Sequence, residues 1–317
     1  MLASVIESPR SIIIREMAIP EIKDEDVLVK LDGTGLCSSN LPVWEGREWF
    51  TYPIEPGSPG HEGYGTVVQA GKDVRGIDVG DKVALISYNA YAEFDKAHYS
   101  NVVRLPQALI GTPFLGEPAA CVVNIFKRSD IQPGQKVLVI GSGFMGSLMI
   151  QLIKNAGAEV VAVSRRQTSV QFAEKAGADQ IVRFSDVSQC IDDLYKLSSA
   201  GFSRIIEVTG SQNAIDLASE MISIRGKMII AGYHQNGLRT VNMQSWNWKG
   251  IDVINAHERD PNIYTEGLKE AIHLTELNIL RPNDFITHQF DLQSINKAFE
   301  TLHDRPEGFI KAIITYS

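Results

Sequence analysis

The sequence predicts an α/β protein of two parts, an antiparallel barrel-like unit and a unit built on a doubly wound parallel sheet. Two rhythms in the chain carry that reading. Up to about residue 105, short alternating runs follow one another closely between turn residues, the pattern of an antiparallel barrel. From about residue 122, strand-like apolar runs alternate with stretches of helical period, the signature of stacked βαβ units and a parallel sheet. At 317 residues the chain is also too long for one ordinary core and suits two.

The first part holds the runs VLVKLDGTG (27–35), GYGTVVQAG (63–71), DKVALIS (81–87) and SNVVRLP (100–106). The second opens with KVLVIGSG (136–143), turns to helical period in FMGSLMIQLIKNAGA and returns to a strand-like run in EVVAVS (159–164). The alternation continues through QIVRF, RIIEVTG and KMIIAGY, with helical patterns between them. After about residue 258 it stops. PNIYTEGLKEAIHLTELNI and SINKAFETLHD read as helices and FIKAIITYS as a final run, a tail expected to return to the first part. No internal repeat or low-complexity segment interrupts this order.

Composition narrows the function classes. A net charge of −8 leaves no electrostatic footprint for nucleic acid or an anionic membrane. No stretch approaches about 18 uninterrupted apolar residues, and the first residues lack the order of a signal peptide, so a cytoplasmic protein is expected. Three cysteines, Cys37, Cys121 and Cys190, do not suggest a disulfide framework and are read as reduced thiols or ligands.

The segment GSGFMG matches G-x-G-x-x-G directly after a strand-like run and at the opening of a helical one. In that context Gly141 permits the tight turn, Gly143 lets a pyrophosphate approach the backbone and Gly146 lets helix and strand pack closely. The helix start then offers free N–H groups to the phosphates. Phe144, Met145, Thr209 and Gly232 are counted with these glycines as cofactor-binding. At the end of EVVAVS, where an acid would hold the ribose of NAD, stand Ser164, Arg165 and Arg166. Hydroxyl and guanidinium groups suit a 2′-phosphate, so NADP(H) is expected over NAD(H).

PGHEGYG (59–65) sets His61 beside Glu62. It is not the H-E-x-x-H of zinc proteases, because position 65 is Gly65 and glycine-dense sequence does not form the required helix. Cys37, His61, Glu62 and Glu117 are nevertheless the donor types that a four-coordinate zinc takes, scattered along the chain as expected of a site assembled from loops. Taken singly, each also has a plain reading as a core, loop or helix-start residue.

Taken together, GLCSSN, PGHEGYGTVVQAG, GIDVGDKV, GEPAAC and GSGFMG resemble the zinc-containing medium-chain dehydrogenase/reductase superfamily, the alcohol and sorbitol dehydrogenases, over almost the whole chain. The resemblance implies a GroES-like β-barrel catalytic domain (1–121 with 259–317) and a Rossmann NADP-binding domain (122–258). It implies that Cys37 and His61 ligate one catalytic zinc, with Glu62 a ligand or an exchangeable partner and Glu117 either a direct ligand or the partner of a zinc-bound water. Ser39 matches the residue that hands on the substrate's hydroxyl proton. The implied activity is hydride transfer between NADP(H) and a secondary alcohol or ketone, a polyol, sugar or cyclitol derivative, by a homodimer or homotetramer. A zinc-free NADPH quinone or enone reductase of the same superfamily, and a catalytically silent NADP-binding protein, are the competing readings.

Three departures from the superfamily pattern bear on these expectations. GDKVALISYNAYAEF carries no cysteine, so the lobe holding a second, structural zinc is expected to be missing. Asn40 stands where the pattern has an aspartate supporting the histidine ligand; its carbonyl is expected to accept the His61 N–H, without the charge. Pro42 replaces a histidine of the usual proton relay. Trp44, Arg47, Trp49 and Tyr52 are read either as a platform for a sugar ring or as packing residues.

Overall fold

The computed structural model describes residues 1–316, which divide into two compact units, residues 1–120 with 260–316 and residues 121–259. No helix among the described residues is long and apolar enough to cross a membrane.

The first unit is organised around the strand Asp26–Gly35. It pairs antiparallel with Gly63–Ala70, with Phe94–His98 and, at its end, with Lys311–Thr315. Val27, Val29 and Leu31 alternate inward along it and meet Val67, Val83 and Leu85, so period-two apolar spacing becomes a barrel core. The tail does return here. The helix Ile295–Asp304 places Ile295, Ala298, Phe299 and Leu302 on one buried stripe against Trp44, Tyr91 and Ile314. Truncating Phe299, fully buried at the centre of that cluster, would cost about 3–5 kcal/mol.

The second unit is a six-stranded parallel sheet ordered Gln180–Arg183, Glu159–Ser164, Lys136–Ile140, Phe202–Glu207, Ile222–Ile230, Asp252–Asn255. Both faces are covered, which is why runs such as KVLVI are apolar throughout and not alternating. The chain winds outward in one direction from Lys136–Ile140 and then in the other from Phe202–Glu207. The crevice at the carboxyl ends of these two neighbouring strands is the ligand-binding position of such sheets.

Candidate active site

In the second unit the glycine motif is shaped as its spacing requires. Gly141 takes φ +102°, and a Cβ on Gly146 would lie 1.9 Å from the Gly141 carbonyl oxygen, so neither accepts a side chain. A Cβ on Gly143 would meet nothing within 4 Å. Gly143 also caps the helix Phe144–Asn155 and, as a glycine, puts no side chain between that helix start and an approaching anion. The loop therefore fits a dinucleotide pyrophosphate. Phe144 is buried, Met145 half-buried and Thr209 exposed. Thr209 Cγ2 would lie 2.6 Å from a Cβ on Gly141, and Gly232 lies so close to Gly210 and Glu207 that a Cβ there would come within 2.7 Å of both.

Ser164 and the two arginines separate in role. Ser164 is buried, and its hydroxyl accepts the Ser142 N–H at 3.0 Å and bonds the Ser142 hydroxyl, inside the glycine loop. Arg166 caps the next helix and donates to Ser169 Oγ at 3.3 Å, while Arg165 is exposed. Glu207, which sequence reasoning missed, is fully buried at the end of its strand. It accepts from the N–H and hydroxyl of Thr209 (both 2.6 Å), from Gly210 N–H (2.8 Å) and from His234 Nε2 (3.0 Å). Arg239 Nε donates to His234 Nδ1, which fixes the proton of a neutral His234 on Nε2. An acid closing an otherwise apolar parallel strand was the available signal.

In the first unit Cys37, His61 and Glu62 converge. Their ligand atoms, one sulfur, one ring nitrogen and one carboxylate oxygen, all lie within 4.8 Å of one another. Cys37 sits just past the end of the central strand, and His61 and Glu62 just before the strand that pairs with it, so the antiparallel register brings a separation of two dozen residues to one point. Ser39 donates its hydroxyl to Cys37 Sγ at 3.2 Å. Burial works against a proton on His61, but the hydrogen bond and charge of Cys37, with the charges of Glu117 and Glu62, push its pKa up to about 10. Sulfur, imidazole and carboxylate are donor types that a catalytic zinc takes, so the three residues fit that ion.

Glu62 is fully buried and carries a partner not expected from sequence. Lys311 places its ammonium 2.7 and 2.6 Å from the two carboxylate oxygens and also donates to the Leu36 carbonyl at 2.8 Å. Gly35 makes room for this pair: a Cβ there would sit 1.8 Å from Glu62 Oε2. Glu117 stands outside the three-ligand set. It lies in the first turn of the helix Gly116–Ser129 and accepts a hydrogen bond from the Tyr264 hydroxyl. Leu268 and Ile272, one and two turns beyond Tyr264, are buried with Phe114 and hold that face of the helix Pro261–Glu276 inward. Burial raises the Glu117 pKa, His61 pulls it back and the Glu62 charge raises it further.

One expectation is corrected. Asn40 does not offer its carbonyl to His61, because Asn40 Oδ1 accepts the Tyr91 hydroxyl at 2.7 Å and Asn40 Nδ2 faces the Pro59 carbonyl at 3.1 Å. The His61 Nδ1–H instead meets that same carbonyl at 2.9 Å, leaving Nε2 for a metal. Of the two readings of Trp44, packing is the one that its surroundings bear out. The residue is 2% exposed, packed on Phe299 and covered by the Arg10 guanidinium 5.0 Å from its ring centre.

Residues 145–273 match the zinc-binding dehydrogenase family and residues 23–124 the alcohol dehydrogenase GroES-like domain. D-arabinitol dehydrogenase 1 of Uromyces fabae is 24% identical, covering 96% of this chain and 95% of its own length. D-arabitol-phosphate dehydrogenase of Enterococcus avium is 24% identical, over 94% of this chain and 92% of its own. A zinc-binding dehydrogenase from Sinorhizobium meliloti 1021, solved bound to NADP, superposes with a TM-score of 0.86 at 22% identity, covering 99% of each chain.

Proposed function

The chain belongs to the zinc-type medium-chain dehydrogenase/reductase superfamily, and from that premise we propose a zinc-dependent, NADP(H)-linked oxidoreductase interconverting a polyol-class secondary alcohol and its ketone. The observation that carries this reading is the convergence of Cys37, His61 and Glu62 on one point. A zinc-free quinone or enone reductase has no use for a buried carboxylate beside a thiol and an imidazole.

In this reading Cys37 Sγ, His61 Nε2 and Glu62 hold one zinc per chain, and Glu117 stands outside that set. Zinc bound there supplies Lewis acidity, which lowers the pKa of an alcohol or polarises a ketone, and the nicotinamide ring carries the hydride. Ser39, whose hydroxyl lies 3.2 Å from Cys37 Sγ, would accept the proton of the substrate hydroxyl while releasing its own toward solvent. The open helix start at Gly143 holds the pyrophosphate, and Arg165 and Arg166 favour a 2′-phosphate. A polyol, free or phosphorylated, is the substrate class because the Glu62 and Glu117 pair is of the sorbitol type and the arabinitol and arabitol-phosphate enzymes match almost end to end. Among the described residues the strand Asp252–Asn255 is paired on one side only, by Ile222–Ile230, and would offer its other edge to a second copy in a cytoplasmic homodimer or homotetramer.

The test is metal analysis joined to an NADP-linked activity screen over polyols, cyclitols and phosphorylated sugars. One zinc per chain is expected, with turnover abolished by a chelator and restored by zinc. Full activity in the metal-free protein would overturn the zinc assignment in favour of the quinone or enone reductase. Equal dissociation constants for NADPH and NADH would overturn the cofactor assignment.

A further inference from the structure

Asn40 is an amide where a carboxylate would serve either way round, and an amide has two unlike ends. Its neighbours decide which end points where. On one side lies the Pro59 carbonyl, which only accepts, at 3.1 Å from Asn40 Nδ2. On the other lies the Tyr91 hydroxyl, 2.7 Å from Asn40 Oδ1 and 3.4 Å from the Gly35 carbonyl. Turned over, the amide would set its oxygen against the Pro59 oxygen and within reach of the His61 Nδ1–H, 3.4 Å from the present Nδ2. The His61 ring would then have two competing acceptors in place of one.

Tyr91 is fixed against the loop that carries His61. It is 1% exposed, lies in the segment 86–93 that joins Lys82–Leu85 to Phe94–His98, and meets Phe299 edge-on with ring centres 5.6 Å apart. Its own N–H donates to the Gly57 carbonyl at 2.9 Å, and the Ala90 N–H to the Gly60 carbonyl at 3.0 Å. Gly60 is pressed so close that a Cβ would lie 2.5 Å from the Tyr91 nitrogen. The backbone of Ala90 and Tyr91 thus holds the loop 57–60 while the Tyr91 hydroxyl holds the Asn40 amide.

We propose that Tyr91 is a positioning residue of the metal site: its hydroxyl locks the Asn40 amide so that Pro59 alone receives the His61 Nδ1–H and Nε2 faces Cys37 and Glu62. This rests on the zinc reading of that cluster. The neutral Tyr91–Asn40 pair does by orientation what a carboxylate does by charge, and groups that orient a metal-bound imidazole this way are worth about 10–100-fold in metal affinity.

The experiment is a double-mutant cycle read as zinc dissociation constants from chelator competition on the full-length protein, with Tyr91→Phe, Asn40→Asp and the double variant. Tyr91→Phe keeps the buried ring, and its unfolding midpoint without zinc is recorded alongside. The expected result is roughly 10–100-fold weaker zinc binding by Tyr91→Phe, and near wild-type binding by the double variant, whose carboxylate has no wrong end. Undiminished affinity in Tyr91→Phe overturns the proposal, as does an equal loss in the Asn40→Asp background, which would mean that Tyr91 acts by packing alone. Wild-type protein that binds no zinc overturns the zinc reading itself, and the role of Tyr91 falls with it.

Discussion

Lys311 and Glu62 form a buried ion pair, with ammonium-to-oxygen distances of 2.7 and 2.6 Å, across 249 residues of sequence. Both side chains are almost wholly shielded from water, so neither is stable alone in its charged form. Replacing Lys311 by methionine leaves the Glu62 carboxylate uncompensated and is expected to destabilise the metal-free protein by about 3–5 kcal/mol. Zinc on Glu62 would supply the missing positive charge, so the penalty should shrink when the metal is added. Chemical unfolding of wild type and Lys311→Met, each with and without zinc, measures this. A penalty unchanged by zinc would show that Glu62 does not touch the metal.

Tyr264 anchors Glu117 outside the set formed by Cys37, His61 and Glu62. Tyr264→Phe removes one hydrogen bond to a charged acceptor, worth about 1.5–3 kcal/mol, and kcat/KM for the best polyol is expected to fall roughly 10- to 100-fold. Zinc content should stay at the wild-type level if Cys37, His61 and Glu62 hold the ion as proposed. If Tyr264→Phe and Glu117→Ala both lose zinc, Glu117 is the ligand and the assignment of Glu62 must be exchanged for it.

What the sequence made legible follows from how far each interaction reaches. The parallel sheet and the glycine loop rest on local signals, apolar period and turn glycines, and Gly141, Gly143 and Gly146 are placed as those signals require. Cys37, His61 and Glu62 were found through a motif, since nothing in their spacing announces that two loops meet. Lys311, Tyr264 and Tyr91 escaped because their partners are set by strand register and helix docking between distant segments. A lysine inside the apolar run FIKAIIT was the one local hint, since a buried cation requires a partner. The Asn40 amide could not be oriented without knowing what stands on each side of it.

Cofactor selection should divide between Arg165 and Ser164. Arg165 is exposed, whereas the Ser164 hydroxyl is buried against Ser142 in the glycine loop. Arg165→Ala is therefore expected to raise the NADPH dissociation constant roughly 10- to 100-fold, the equivalent of one charge-assisted hydrogen bond, and to leave that for NADH almost unchanged. Ser164→Ala should weaken both cofactors by a similar factor, because it loosens the shared phosphate loop. Fluorescence titration of both cofactors against both variants decides the matter; selective loss of NADPH in Ser164→Ala would place the serine itself on the 2′-phosphate.

Asp95 gives the barrel a pH dependence of its own. It is buried and accepts from the Asn89 N–H at 3.1 Å and the Lys96 N–H at 2.8 Å, and burial outweighs these bonds to push its pKa from 3.8 up to about 6. With the folded value above the unfolded one, the stability that this group contributes is fully present below about pH 4 and lost as pH rises through about 6. A shift of about two units corresponds to about 3 kcal/mol. Asp95→Asn cannot titrate and keeps only one oxygen for the two N–H groups. It should therefore be less stable than wild type near pH 4, with the gap closing by about 3 kcal/mol toward pH 7. Urea unfolding across that range provides the comparison, and a gap that stays constant with pH would place the Asp95 titration elsewhere.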